Sequence, residues 1–329
     1  MQGSFFFSLR SVVGSATRVL VTGPVGPDGD SIGACLVLAS MLESVCDAQI
    51  DVAGCPAPRY SELPTVSRMV ADDQIRGPYD VAIVLDGDQS RLDGSVAAAF
   101  GAAGTRVVID HHRSTRGDGY DLAWIDSGSA STCEMVYQLL KAWGGQLDQD
   151  LATLIYAGVI FDTGGFRHSN TRPSTHRLAA ELLEAGVEAD RVNTRILAER
   201  RRSGLRLMGA VLDTAIFSED GAIAIGVASQ KVLQGVGASF DDIEGIVDHL
   251  IYTEGVEVGV LCVERGNDIV KMSFRSRGLI DVAAVANTLH PTGGGHARAS
   301  GVVLEGPVET VVDRVMKAVG LALTQARAA

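Results

Sequence analysis

Three short apolar runs stand out along the first part of the chain: 18–23 (RVLVTG), 80–86 (DVAIVLD) and 105–110 (TRVVID). Each is rich in β-branched residues and apolar at both alternations, the pattern of a strand buried on both faces. Each ends in an aspartate or in a glycine-rich turn that leads to aspartates. Between them, 31–45 carries apolar residues at helical spacing, while 48–52 and 122–126 (LAWID) read as further strands. The stretches 129–143, 151–163 and 174–186 predict helices, the last starting just after Pro173 and stopping at Gly186. Strand–helix alternation of this kind predicts an α/β domain, a parallel sheet with helices on both faces. Functional groups in such sheets gather at the carboxyl ends of strands, where Asp28, Asp30, Asp86 and Asp110 stand.

The pattern changes after residue 190. An arginine-rich stretch of helical period, 191–212, predicts a connecting helix between a first domain, 1–190, and a second, 213–329. In the second domain 215–228 reads as a hairpin turning at Glu219-Asp220-Gly221, and 256–276 as another turning at Arg265-Gly266-Asn267-Asp268. Helical stretches follow at 239–251, 280–289 and 307–323. Antiparallel strands with a few helices predict a smaller α+β domain, with a cleft between the two.

Composition narrows the function. The 329 residues are enough for two domains of ordinary size, and 46% hydrophobic content marks a globular chain. A formal net charge of −12 argues against a protein that coats long nucleic acid, which needs a basic surface to displace counterions. A small phosphorylated ligand gripped by a few arginines remains compatible with it. Five scattered cysteines without a CxxC pair predict reduced thiols and a cytoplasmic protein. The opening residues MQGSFFFSLR have no basic residue ahead of their apolar stretch, and Arg10 interrupts it, so a short N-terminal helix is expected. No apolar stretch reaches the roughly 18 residues of a membrane span.

The chemistry lies in the acidic strand ends. Asp28 and Asp30 flank Gly29, a spacing that lets two carboxylates in a tight loop serve neighbouring cations, and Asp86 could bridge them. Asp110-His111-His112 ends the next run, and Asp162 lies in the apolar segment AGVIFDTGGF. Carboxylates plus imidazole suit Mn²⁺ or another hard-to-borderline divalent ion, and a two-metal centre suits phosphoryl displacement by an activated water. Each aspartate has a plainer reading. An Asp after a strand is often a helix N-cap, and His112 alone could be a buried imidazole. Asp162 is harder to explain that way, because a buried carboxylate needs a partner.

The set PDGDSIG (27–33), LDGDQSR (85–91), IDHHRST (109–115) and AGVIFDTGGFRHSNT (157–171) resembles the four motifs of the DHH phosphoesterase family. KMSFRSRGLIDVAAVANTLHPTGGGHARASG (271–301) resembles the nucleotide-binding signature of the DHH-associated C-terminal domain. The resemblance spans nearly the whole chain. It implies Mn²⁺ as the cofactor, with Mg²⁺ or Co²⁺ as substitutes. Asp28 and Asp86 would hold one ion; Asp30, Asp86, His111 and Asp162 would hold the other. His112 would touch the scissile phosphate, and Asp110 would orient the imidazole of the triplet. Arg275 and Arg277 would grip a terminal phosphate, while Gly293, Gly294, Gly295 and His296 would meet the nucleotide. The family further implies a homodimer acting on short oligonucleotides, linear dinucleotides or cyclic dinucleotides.

One position departs from the family. Pro24 stands three residues before Pro27, where family members usually carry a histidine ligand of the first metal. Asp88 and His168 are the nearby groups that could fill that gap; Arg91 and Arg167 lie in loops, where arginines are usually solvated. The expected function is a metal-dependent phosphodiesterase. The alternative is a nucleotide-binding regulatory protein with catalysis weakened by Pro24. A pyrophosphatase built on the same first domain is disfavoured by GGGHARASG, and a long-chain exonuclease by the negative charge.

Overall fold

The computed structural model describes residues 2–266 and 268–328. Met1, Ala329 and Asn267 of the expected second hairpin turn lie outside the described residues. The chain divides into two compact units, Met1–Glu199 and Arg200–Ala329.

The first unit opens with α1 (Gln2–Gly14), then β1 (Arg18–Thr22), α2 (Gly29–Glu43), β2 (Gln49–Ala53), β3 (Met69–Val70) and β4 (Val81–Leu85). It continues through α3 (Gly94–Gly101), β5 (Thr105–Asp110), β6 (Leu122–Ile125), α4 (Thr132–Ala142), α5 (Gln149–Asp162), α6 (Pro173–Glu184) and α7 (Ala189–Asn193). The six strands form a parallel sheet in the order β3-β2-β1-β4-β5-β6. The chain runs outward in both directions from β1 and β4, so their carboxyl ends flank a topological switch point.

Alternation along the strands sorts the core. Val19, Val21, Ile83, Leu85, Val107 and Ile109 face the larger cluster, built with α1, α2, α4, α5 and α6. Leu20, Ala82, Val84 and Val108 face a smaller one with Val96, Ala99 and Phe100 of α3. Both faces are covered, as the doubly apolar strands predict, though one far more thickly. Each fully buried Val, Leu or Ile contributes about 1.5–3 kcal/mol. Two-residue β3 was not legible in the sequence.

The expected connecting helix over 191–212 is interrupted. After α7 the chain makes a wide π-type turn at Thr194–Ala198, runs extended at Glu199 and Arg201, and restarts as α8 (Arg202–Asp213). No glycine or proline marks the break; Arg195 closes it with an ion pair to Glu199 at 2.6 Å.

The second unit adds β7 (Ile216–Phe217), β8 (Ile223–Ala228), α9 (Gln230–Val236), α10 (Ile246–Ile251), β9 (Val258–Gly266) and β10 (Ile269–Ser276). It closes with α11 (Val282–Leu289), β11 (Gly294–His296), β12 (Ala299–Glu305) and α12 (Val308–Ala328). Its sheet, β11-β12-β10-β9-β8-β7, is mixed and not wholly antiparallel as expected. The two hairpins are separated by α9 and α10, a crossover that brings β9 back parallel to β8. Gly294–His296 pairs with Ala299–Gly301 as a short strand. Among the described residues no helix is long and apolar enough to cross a membrane.

Candidate metal centre

The site grows from the ends of β1, β4 and β5. After β1 the chain turns through Pro24 and Pro27 into α2, whose N-cap is Asp28. Its Oδ1 accepts from the main-chain N–H groups of Asp30 and Ser31 at 3.0 and 3.1 Å. This is the plain N-cap role of an aspartate after a strand. Asp30 lies in the first turn of α2 and is fully buried. Its two oxygens accept the N–H groups of Thr132 at 2.6 Å and Cys133 at 2.8 Å, the first two residues of α4. A buried carboxylate is thus matched by the positive end of a helix.

Asp86 follows β4 in the left-handed region, φ 61°. Such a conformation costs a non-glycine residue about 1–3 kcal/mol, and Asp and Asn tolerate it best. The turn directs its carboxylate into the site, where Thr132 Oγ1 donates to Asp86 Oδ1 at 3.2 Å. His111, buried at the end of β5, places Nε2 2.9 Å from Asp162 Oδ2 and 3.6 Å from Asp86 Oδ1. Asp162 ends α5, and its carbonyl accepts from Asn170 Nδ2 at 3.2 Å and faces His168 Nδ1 at 3.0 Å. One ligand atom from each of Asp30, Asp86, His111 and Asp162 falls within 4.8 Å of all the others.

The electrostatics mark a site built for positive charge. Burial, then repulsion from Asp28, Asp30, Asp162 and Asp110, push the Asp86 carboxyl well above the usual carboxylate range. Burial and Asp162 raise Asp30 as well, against the pull of His111 and the Cys133 N–H. Burial opposes the His111 imidazolium, yet Asp162 and Asp30 overcome it and lift the group to about 10. Three carboxylates and one imidazole, whose Nε2 gives up its proton when it ligates, are a donor set of hard and borderline character, fit for a divalent cation such as Mn²⁺ or Mg²⁺.

Beside this cluster, Asp110 Oδ1 accepts from His112: Nδ1 lies at 2.7 Å and the main-chain N–H at 3.2 Å. Asp110 Oδ2 accepts from Thr115 Oγ1. Burial works against its charge, but the His112 and Thr115 bonds hold Asp110 below its ordinary value. Of the two histidines, then, it is His112 that Asp110 orients. Thr132, the N–H of Cys133, Thr115 and Asn170 were not singled out from sequence. The one signal for the first two was STCE, where Ser131 caps α4 and Glu134 Oε2 accepts the N–H of Ala130 at 2.9 Å.

Asp28 is outside the four-residue cluster. Pro24 is buried against the β4 turn: a Cβ added to Gly87 would lie 3.0 Å from Pro24 Cγ and 3.5 Å from Arg91 Nη1. Asp88 caps its own turn, accepting from Ser90 N at 2.8 Å, and Arg167 Nε donates to Gly164 O at 2.6 Å. In the second unit, Arg277 donates from Nε to Val256 O at 2.8 Å and from Nη2 to Thr253 O at 3.3 Å. Arg275 faces Asp248 at 3.4 Å. Gly293 lies tight against α11: a Cβ there would lie 2.2 Å from Ala286 O.

A doubly wound parallel sheet with an Asp/His cluster at its switch point places the first unit among α/β proteins whose site is suited to a divalent cation. Residues 18–159 match the DHH family, N-terminal domain, and residues 224–325 match the DHHA1 domain. The chain belongs to the DHH family of phosphoesterases. It is 33% identical to the bifunctional oligoribonuclease and PAP phosphatase NrnA of Thermus thermophilus, over 94% of this chain and 91% of that protein. It is 27% identical to the cyclic-di-AMP phosphodiesterase GdpP of Geobacillus thermodenitrificans, over 88% of this chain and 45% of that protein. Its fold is shared with an exopolyphosphatase-related protein of Bacteroides fragilis, TM-score 0.89 at 24% identity, covering 99% of this chain and 98% of the other.

Proposed function

We propose that the chain is a divalent-cation-dependent phosphodiesterase that hydrolyses short oligonucleotides, linear dinucleotides or cyclic dinucleotides to mononucleotides. The observation that carries this reading is the convergence of Asp30, Asp86, His111 and Asp162 within 4.8 Å. These four would hold Mn²⁺, with Mg²⁺ or Co²⁺ as alternatives. A cation there would polarise a phosphoryl oxygen and make a bound water nucleophilic at neutral pH. The relatives support the substrate class through the activities their names carry, oligoribonuclease and PAP phosphatase in one, cyclic-di-AMP phosphodiesterase in the other.

The chain's own residues divide the remaining work. Thr132 and the N-terminus of α4 hold the carboxylates of Asp86 and Asp30 in place. Asp110 on Nδ1 of His112 fixes the orientation of that ring, so its Nε2 would meet a phosphoryl oxygen as charge develops there. Arg275, Arg277, the glycines 293–295 and His296 would hold the nucleotide. Pro24 favours a second reading, because it offers no ligand atom and Asp28 is engaged in capping α2. A cation at Asp28 and Asp86 would lack its usual histidine, and the chain would then bind nucleotides with weakened catalysis.

Turnover of a panel of 5′-phosphorylated mono-, di- and longer nucleotides with added Mn²⁺ separates the two readings. Release of mononucleotides from the dinucleotide is expected. Tight nucleotide binding with no product at any length would favour the regulatory reading over the enzyme.

A further inference from the structure

The chain leaves α5 through a left-handed turn. Gly164, Gly165 and Phe166 follow one another at φ 56°, 67° and 67°. Glycine enters that region freely, but a bulky aromatic residue there is strained. Phe166 is kept in it by its N–H, which donates to Thr163 Oγ1 at 3.0 Å, and by ring contacts with Tyr156 and His176. The main-chain N–H groups of Arg167 and His168 both donate to Thr163 O at 2.9 Å, so the turn winds back directly behind Asp162. Strain held beside a site marks a geometry that the surrounding structure imposes.

The turn returns Asn170 to the end of the helix the chain has just left. There Nδ2 of its carboxamide donates to two carbonyls from different parts of the chain, Ala130 O at 2.8 Å and Asp162 O at 3.2 Å. Ala130 is buried, and its own N–H donates to Glu134 Oε2. Ala130 leads directly into Ser131, the N-cap of α4, and the N–H groups of the next two residues hold Asp30. One carboxamide therefore joins the main chain of Asp162 to the element that fixes Asp30. Carboxylates brought this close repel one another. The Asp162 side chain is 18% exposed, against 4% for Asp86 and His111, and has the most room to swing outward. A brace behind it opposes that movement.

We propose that Asn170 is a positioning residue for the cation site: its two hydrogen bonds set Asp162 and Asp30 in one rigid frame, which favours a compact divalent cation over a larger one. The inference rests on the divalent-cation reading above but concerns a residue which that reading does not use. A frame of fixed size suits Mn²⁺, whereas Ca²⁺ takes longer bonds in flexible, irregular coordination and loses less when the frame loosens.

The test is binding of Mn²⁺ and of Ca²⁺ to the metal-free full chain, each by calorimetry, with urea midpoints alongside. Wild type is expected to bind Mn²⁺ the more tightly. Asn170→Ala should weaken Mn²⁺ about ten- to a hundredfold and Ca²⁺ by a smaller factor, so that the ratio between the two narrows. Asn170→Gln keeps the donor on a longer stem and should narrow it less; it carries the same comparison if the alanine variant does not fold. Asn193→Ala is the control, because Asn193 Nδ2 donates to Tyr156 Oη at 3.2 Å, earlier on the same helix α5. It should lower the urea midpoint and leave both affinities as they are. Unchanged Mn²⁺ affinity in Asn170→Ala, with native circular dichroism, would overturn the proposal and leave the cation reading standing. Equal weakening of both ions in Asn170→Ala, or equal affinity of wild type for both, would do the same. Failure of wild type to bind Mn²⁺ would overturn the cation reading itself, and this inference with it.

Discussion

Gly158, in the middle of α5, sits where that helix crosses the site, and replacing it with alanine is a sharp test of the packing behind Asp30. A Cβ there would lie 2.4 Å from Cys133 Sγ and 2.6 Å from Asp30 Oδ1. Comfortable separations are roughly 3.5–4.0 Å, so each overlap is about 1 Å. Alanine in place of a helical glycine gains about 0.8–1.0 kcal/mol of intrinsic propensity, while overpacking of a close-fitted core costs about 1–3 kcal/mol. The second effect wins, for a net loss of about 1 kcal/mol and a fall in Tm of about 2–4 °C. Relief of the clash moves Asp30 off the N–H of Cys133, which should weaken Mn²⁺ binding about ten- to a hundredfold. Gly209 of α8 is the control: it is exposed and an added Cβ meets nothing within 4 Å. Gly209→Ala should stabilise by up to about 1 kcal/mol and leave Mn²⁺ binding unchanged. Denaturant melts and Mn²⁺ titration of both variants decide the matter. A Gly158→Ala protein as stable as wild type, with the same Mn²⁺ affinity, would refute the reasoning.

Other consequences are open to equally direct measurement. Thr132→Val keeps the main-chain bond to Asp30 and removes the hydroxyl donor to Asp86; Mn²⁺ affinity by calorimetry should drop about tenfold or more, and an unchanged value would deny Thr132 a positioning role. Pro24→His should raise the Mn²⁺ bound per chain, read by elemental analysis, because a donor returns beside the β4 turn; an unaltered metal content would show that residue 24 does not face a cation. Asp80 is held below 3.8 by the Thr17 hydroxyl and by the main-chain N–H groups of Thr17 and Arg18. The stability it contributes is complete above 3.8 and is lost as pH falls through the lower folded-state value. The gap between wild type and Asp80→Asn in urea midpoint should therefore be widest near neutrality and close in acid; a gap that widened in acid would reverse the sign argued here.

Much of the first unit was legible because its strands are buried on both faces. Runs such as VAIVL and TRVVID cannot be read as anything half-solvated, and the aspartates that end them fall at the sheet's switch point by topology alone. What escaped was set by contacts distant in sequence. The N-terminus of α4 bonds Asp30 from 102 and 103 residues away, a pairing that no local pattern encodes. The break after Ala198 has no glycine or proline to announce it, and the parallel pairing of β8 with β9 depends on how α9 and α10 cross. A glycine run usually signals a loop, whereas pairing with β12 makes Gly294–His296 a strand.

The central claim is that hydrolysis of a short nucleotide depends on a cation held by Asp30, Asp86, His111 and Asp162. Its most direct test is release of mononucleotides from a 5′-phosphorylated dinucleotide before chelation, after chelation and after return of Mn²⁺, in wild type and in Asp162→Asn. Activity that vanishes with the chelator, returns with Mn²⁺ and stays absent in Asp162→Asn is the predicted result. Hydrolysis that persists in the chelator, or is undiminished in Asp162→Asn, would contradict it.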